Sequence, residues 1–145
     1  MDRRELMQGA GAVALAALGS MAFAAEHDHH EHQGTGANQP LIEAAGNCVE
    51  KGEVCLAHCL VLLGDGDKEI AACAKSVNQM LAICSALQKL AIQNSKYTAA
   101  LAKVALDSCA DCEKECRKHE DKHAECKACA EACAACGKQC KALAA

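Results

Sequence analysis

Thirteen cysteines punctuate this 145-residue chain, and their spacing says more than their number. From Cys109 onward they stand at Cys109, Cys112 and Cys116, then at Cys126, Cys129, Cys133, Cys136 and Cys140. Within each run the steps are three or four residues, the interval that keeps side chains on one stripe of an α-helix. Such a stripe ordinarily carries Leu and Ile and packs as the core of a helix bundle. Here it would line that core with soft sulfur ligands, which select Cu(I), zinc or iron–sulfur clusters. The chemistry on offer is metal binding in an interior.

Four helical segments are needed to position these sulfurs. Pro40 suits the first turn of a helix, with Asn38 or Gln39 before it, and the pattern runs to Leu63 before Gly64-Asp65-Gly66 ends it. Asp67 is a natural N-cap for a second helix reaching Gln93, and Asn94 or Ser95 for a third reaching His119. The phase of the pattern shifts near Glu120 to Lys122, so a break falls there and a fourth helix fills the rest. Short connections make neighbouring helices antiparallel. The expected fold is all-α, an up-down-up-down antiparallel four-helix bundle with a cysteine-lined core.

The inward seams can be written out. The first helix offers Leu41, Ala45, Cys48, Gly52, Cys55, Cys59 and Leu62; the second offers Ile70, Cys73, Val77, Met80, Cys84, Leu87 and Ala91. The third offers Ala102, Ala105, Cys109, Cys112, Cys116 and His119; the fourth offers Cys126, Cys129, Cys133, Cys136, Cys140 and Leu143. Every cysteine falls on a seam. Antiparallel packing makes the two ends unlike. Cys55, His58, Cys59, Cys73, Cys112, Cys116, His119, His123, Cys126 and Cys129 gather at a metal-admitting mouth, and Leu41, Leu87, Ala91, Leu101 and Leu143 seal the other end. Leu60, Leu81, Leu90 and Val104 are expected to hold the metal-free bundle together.

Residues 1–25 read as a twin-arginine signal peptide. Arg3-Arg4 precedes Leu6-Met7, a Gly/Ala-rich apolar run extends from Gly9 to Ala22, and Ala22-Phe23-Ala24 offers a small-x-small cleavage site. The run is too short and too rich in glycine for a comfortable membrane span, so stable membrane insertion is not expected; an uncleaved anchor is the alternative. The expected destination is the periplasm or another extracytoplasmic compartment of a bacterium. Twin-arginine substrates cross already folded, so thiols can be packed or metallated before they meet an oxidising compartment. Residues 26–39 carry His27, His29, His30 and His32 among acids, then Gly34, Gly36 and Asn38. They read as a His-rich flexible tether, either simply solvated or able to capture metal. The bundle domain spans residues 40–145.

Several function classes are excluded or disfavoured. A net charge of −4, and Tyr97 as the single aromatic residue beyond the leader, leave no basic stripe and no stacking platform for nucleic acid. There is no general base, phosphate loop or nucleophile constellation, so the chain reads as a non-enzyme. A Cys-x-x-Cys redox enzyme would need a βαβ context that is absent here. A homo-oligomer stays open.

A disulfide scaffold competes with metal binding, yet thirteen is odd and such scaffolds are rich in loops. Cysteines three or four apart on a helix have Cβ atoms about 5–6 Å apart, against about 3.8 Å across a disulfide. Structural zinc takes four ligands, commonly from knuckles separated by loops, which continuous seams do not supply. Iron–sulfur motifs also place their cysteines in loops. Cu(I) accepts two nearly linear ligands, which Cys55/Cys59, Cys112/Cys116, Cys129/Cys133 and Cys136/Cys140 can provide. If each thiolate bridges two ions and each ion takes two thiolates, the ratio is one Cu(I) per cysteine and the core is neutral. A four-thiolate zinc site instead carries two net negative charges into a poorly hydrated interior.

The candidate ligands are therefore Cys48, Cys55, Cys59, Cys73, Cys84, Cys109, Cys112, Cys116, Cys126, Cys129, Cys133, Cys136 and Cys140. His58, His119 and His123 are further candidates that compete with a solvated helix-end role. Met80 is a candidate thioether that competes with a role as core filler. A copper chaperone of low stoichiometry is another alternative, but it needs few and exposed ligands.

The pattern from Leu41 to Ala145 resembles the bacterial copper storage proteins, a cysteine-rich four-helix-bundle family. The resemblance rests on Cys48-x6-Cys55-x3-Cys59, on Cys73 and Cys84, and on the Cys109 to Cys140 ladder; Arg3-Arg4 matches the exported branch. It implies many Cu(I) ions held along the bundle axis, storage rather than catalysis, and copper-accepting apo-proteins such as cuproenzymes, or chelators, as partners. In that family the mouth also carries His and Met ligands. His58 fits that role, whereas Leu62, Leu63 and Ile70 are aliphatic and the only methionine of the bundle, Met80, lies deeper.

Overall fold

The structure is a computed structural model that describes residue 36 and residues 38–144, the side chain of Ala144 excepted. The signal peptide, its cleavage site at Ala22-Phe23-Ala24 and the four tether histidines lie outside the described residues. Four helices account for nearly all of the rest: α1 (Gln39–Gly64), α2 (Ala71–Ile92), α3 (Thr98–Arg117) and α4 (Ala124–Ala144). Each of α1 and α3 packs against both α2 and α4, so chain neighbours are also neighbours round the cylinder. This is the expected up-down-up-down bundle. No helix among the described residues is long and apolar enough to cross a membrane.

The connections are tight because two left-handed residues end the first two helices. Gly66 adopts φ 94°, and the amide of Asp67 donates to the carbonyl of Leu62 at 3.0 Å. Asn94 adopts φ 49°, and the amide of Ser95 donates to Leu90 at 3.0 Å. Both are six-to-one closures that satisfy carbonyls a helix end leaves unpaired. Asn94 thus terminates α2 rather than capping α3. The amide of Tyr97 donates to Ser95 Oγ at 3.3 Å, in a turn that leads into α3. Asp67 likewise accepts from the Glu69 amide at 3.0 Å, but α2 itself starts four residues further on, at Ala71, after a turn at Glu69-Ile70. Asn38 ties the start of α1 to the α2–α3 connection by donating to Asn94 Oδ1 at 3.0 Å.

The core differs from that of an ordinary bundle. Only Ile70, Met80, Leu87 and Val77 among the fully buried side chains exceed cysteine in volume. Sulfur rather than hydrocarbon bulk fills the axis, and a protonated cysteine packs there as a small hydrophobe. Away from the sulfurs, Leu41, Ala45, Leu87, Ala91, Ala102 and Ala105 form a dry floor. Leu143 does not join that seal: it is 37% exposed and lines a surface groove with Pro40 and Leu41. Leu81 packs inward and Leu90 is half-buried, but Leu60 and Val104 are 58% and 51% exposed and contribute little. Both lie off their helices' seams, where apolar character alone does not bury a side chain.

Candidate metal centre

All thirteen cysteines are buried and none is paired in a disulfide. Three-and-four spacing turns each toward the axis, and the stagger of the helices sets which sulfurs meet. At the mouth, where α1 and α3 end and α2 and α4 begin, Cys55, Cys59, Cys73 and Cys126 place their Sγ atoms within 4.8 Å of one another. Cys55 belongs equally to a second group with Cys116 and Cys129, and Cys129 to a third with Cys112 and Cys133. Cys48 lies 3.7 Å from Cys133 and opens a fourth group, Cys48, Cys84, Cys109 and Cys136, which draws one cysteine from each helix. A cross-helix contact of 3.5 Å between Cys73 and Cys116 joins the first two groups further, and one of 3.6 Å between Cys84 and Cys109 lies within the fourth. Each group shares or touches a sulfur of the next, so the thiols form one continuous column.

The spacing suits a thiophilic ion. A first-row metal–thiolate bond of about 2.3 Å places two sulfurs about 4 Å apart on a trigonal ion and about 4.6 Å apart on a linear one. The observed groups already lie near those separations. Two of them contain four cysteines, gathered from helix seams without the loop-separated knuckles of a structural zinc site. The sulfurs of adjacent helices interleave at one level, which linear spacing does not reveal.

Burial and mutual hydrogen bonding govern protonation. Burial, followed by the charge of Cys73, pushes the Cys59 thiol up to about 11. Cys84 and Cys140 are also pushed up, Cys84 first by its hydrogen bond with Cys109 and Cys140 first by that with Cys136, with burial adding to both. Cys116 and Cys133 rise because their hydrogen bonds with several neighbouring sulfurs favour the protonated, donating thiol, Cys112 being the foremost partner for Cys116 and Cys109 for Cys133. Cys129 and Cys136 are pulled the other way, by donation first from Cys112 and from Cys109 respectively. The column therefore holds protons that a metal ion must displace.

Above the first sulfur group His58 Nε2 lies 2.9 Å from His123 Nδ1, with the ring centroids 4.9 Å apart. Glu125 approaches His58 Nε2 at 3.7 Å. Sequence placed both imidazoles at this end but gave no sign of Glu125, which reads as one more charge on a solvent-facing helix turn. His119 sits in the α3–α4 connection, where its carbonyl accepts from the amides of Lys122 and His123 at 3.1 and 3.0 Å. His58, His119, His123 and Cys140 all fall outside the compact sulfur groups. Leu62, Leu63 and fully buried Ile70 are the apolar residues of this end.

Met80 is fully buried, and its Sδ accepts a hydrogen bond from Cys48 Sγ at 3.3 Å. Gly52 makes that placement feasible. A Cβ there would stand 2.7 Å from Met80 Cε and 2.9 Å from Leu81 Cδ2.

A family model described as copper storage protein matches residues 33–145. The structure is similar to apo copper storage protein 3 from Bacillus subtilis, with 29% identity, coverage of 74% of this chain and 99% of that one, and a TM-score of 0.66. It is similar to the Cu(I)-bound copper storage protein BsCsp3, with 28% identity, coverage of 74% and 98%, and a TM-score of 0.67. The copper storage protein Ccsp from Streptomyces lividans, loaded with 10 copper equivalents, matches with 26% identity, coverage of 72% and 80%, and a TM-score of 0.64. No curated protein sequence is significantly similar.

Proposed function

The chain belongs to the copper storage protein family, and from that premise we propose that it stores Cu(I) at high capacity on the thiolates of its thirteen buried cysteines, about one ion per cysteine. The carrying observation is the continuity of the sulfur column. A chain of shared sulfurs lets each thiolate bridge two ions, and bridging balances each Cu(I) charge against one thiolate. The apo copper storage protein 3 from B. subtilis and the Cu(I)-bound BsCsp3 resemble this bundle equally well, at TM-scores of 0.66 and 0.67. That supports loading into a preformed cylinder.

The four-cysteine groups raise zinc as a second reading, and charge weighs against it. Four thiolates around Zn²⁺ leave two net negative charges. Among the described residues the only buried polar side chains are Ser76 and Thr98, so no buried cation offsets them. The protein holds its cargo rather than turning over a substrate. Copper enters at the mouth past His58 and His123, and leaves there when a copper-accepting apo-protein or chelator exchanges ligands. Arg3-Arg4 and the apolar run after it support export of the folded protein by the twin-arginine route to an extracytoplasmic compartment, where it supplies cuproenzymes and buffers toxicity.

Anaerobic titration of the reduced protein with Cu(I) against a competing chelator tests this reading. Uptake of about one ion per cysteine is expected, with one displaced proton per ion. Saturation at a few equivalents, or stronger competition by Zn²⁺, would refute it.

A further inference from the structure

Half-way along the column the thiols come from one side only. Cys112, Cys129 and Cys133 are supplied by α3 and α4 alone, whereas the deeper group takes one cysteine from every helix. On the facing wall, the buried positions between Cys48 and Cys55 on α1 and between Cys73 and Cys84 on α2 are Gly52, Ala74, Ser76, Val77, Met80 and Leu81. Of these only Met80 carries sulfur. Its Sδ is turned onto the Cys48 thiol at 3.3 Å, and that thiol lies 3.7 Å from Cys133 Sγ. Gly52 yields the space that the end of the Met80 side chain occupies, because a Cβ would come within 2.7 Å of its methyl carbon.

We infer that Met80 is itself a copper ligand, its thioether joining the Cys48 and Cys133 thiolates in a three-sulfur Cu(I) site that links the middle of the column to its deeper group. This deepens the storage reading and rests on it. A metal–sulfur bond of about 2.3 Å in trigonal geometry needs all three sulfurs about 4 Å apart, so the two contacts to Cys48 have to open by less than about 1 Å and the Met80 Sδ has to swing to the same distance from Cys133. Side-chain rotation supplies that readily, since methionine has three rotatable bonds. A thioether adds a soft donor without adding charge. It raises the coordination of one ion while the thiolate-to-copper balance of the column is unchanged. It also favours Cu(I) over zinc at this level, because zinc is held by thiolate, imidazole and carboxylate and a neutral thioether is a weak donor to it.

Selenomethionine labelling of the full chain, followed by selenium-edge X-ray absorption of the Cu(I)-saturated protein, tests the assignment. Met1, Met7 and Met21 are labelled as well, so the labelled Met80→Leu variant is measured beside it; leucine keeps the apolar volume, and circular dichroism checks the fold. The expected result is a copper neighbour at bonding distance from selenium in the parent and its loss in Met80→Leu. A fully loaded parent with only light-atom neighbours, or a copper signal retained in the variant, would overturn the inference. Failure of the parent to take up copper at all would instead overturn the storage reading.

Discussion

Cutting the sulfur column in its middle should cost more copper than trimming its end, and Cys129 and Cys140 allow the comparison. Both lie on α4 and both are fully buried, so replacing either by alanine removes a similar amount of buried apolar volume. The cost to the metal-free bundle is about 1 kcal/mol in each case, small against the roughly 5–15 kcal/mol that holds a domain folded. Their places in the column differ. Cys129 belongs to two sulfur groups at once and lies 3.9 Å from Cys112, whereas Cys140 belongs to none of the compact groups. If thiolates bridge, Cys129→Ala leaves two ions each short of a ligand, while Cys140→Ala removes one terminal donor. Anaerobic Cu(I) titration should then show about two ions lost for Cys129→Ala and about one for Cys140→Ala, with equal helix content by circular dichroism. Equal losses in the two variants would mean that the sulfurs act as independent sites, and the bridging argument would fall.

Two further outcomes follow from the packing and the protonation of the column. Gly52→Ala sets about 1–3 kcal/mol of overpacking against Met80 and Leu81 beside a helix-propensity gain of up to about 1 kcal/mol. A net loss of about 1 kcal/mol, near 5 °C in Tm, should appear in thermal unfolding of the metal-free protein, and a rise in Tm would contradict the crowding. The Cys59 thiol is pushed up from 9.0 to about 11, so its protonated form stabilises the fold fully below pH 9.0 and that contribution is lost as pH rises through about 11. Urea midpoints of the reduced, metal-free protein should hold level near neutrality and fall across that alkaline window; a flat profile to pH 11 would refute the burial argument.

The helices and the burial of every cysteine were legible in the linear order of residues. A three-and-four step fixes the angle of a side chain about its helix axis, and thirteen cysteines at one angle per helix leave no alternative to an inward stripe. Short connections then dictated antiparallel neighbours, and the shift of phase near Glu120 located the break between α3 and α4. Angle says nothing of height or depth. Whether Cys48 would meet Cys133, or His58 would meet His123, depended on how far each helix slides along its neighbour. That slide is fixed where helices pack on one another, as where Gly52 of α1 leaves room for Met80 and Leu81 of α2, contacts between residues far apart in the chain. The same reason applies to Leu143, which stands on the seam of α4 and is nonetheless partly exposed; Leu60 and Val104 lie off their seams, so angle alone turns them outward. Sequence determined that the interior would be sulfur. Only the packing of four helices decided which sulfurs are near enough to share an ion, because sharing is a distance between chain segments and not a property of any one of them.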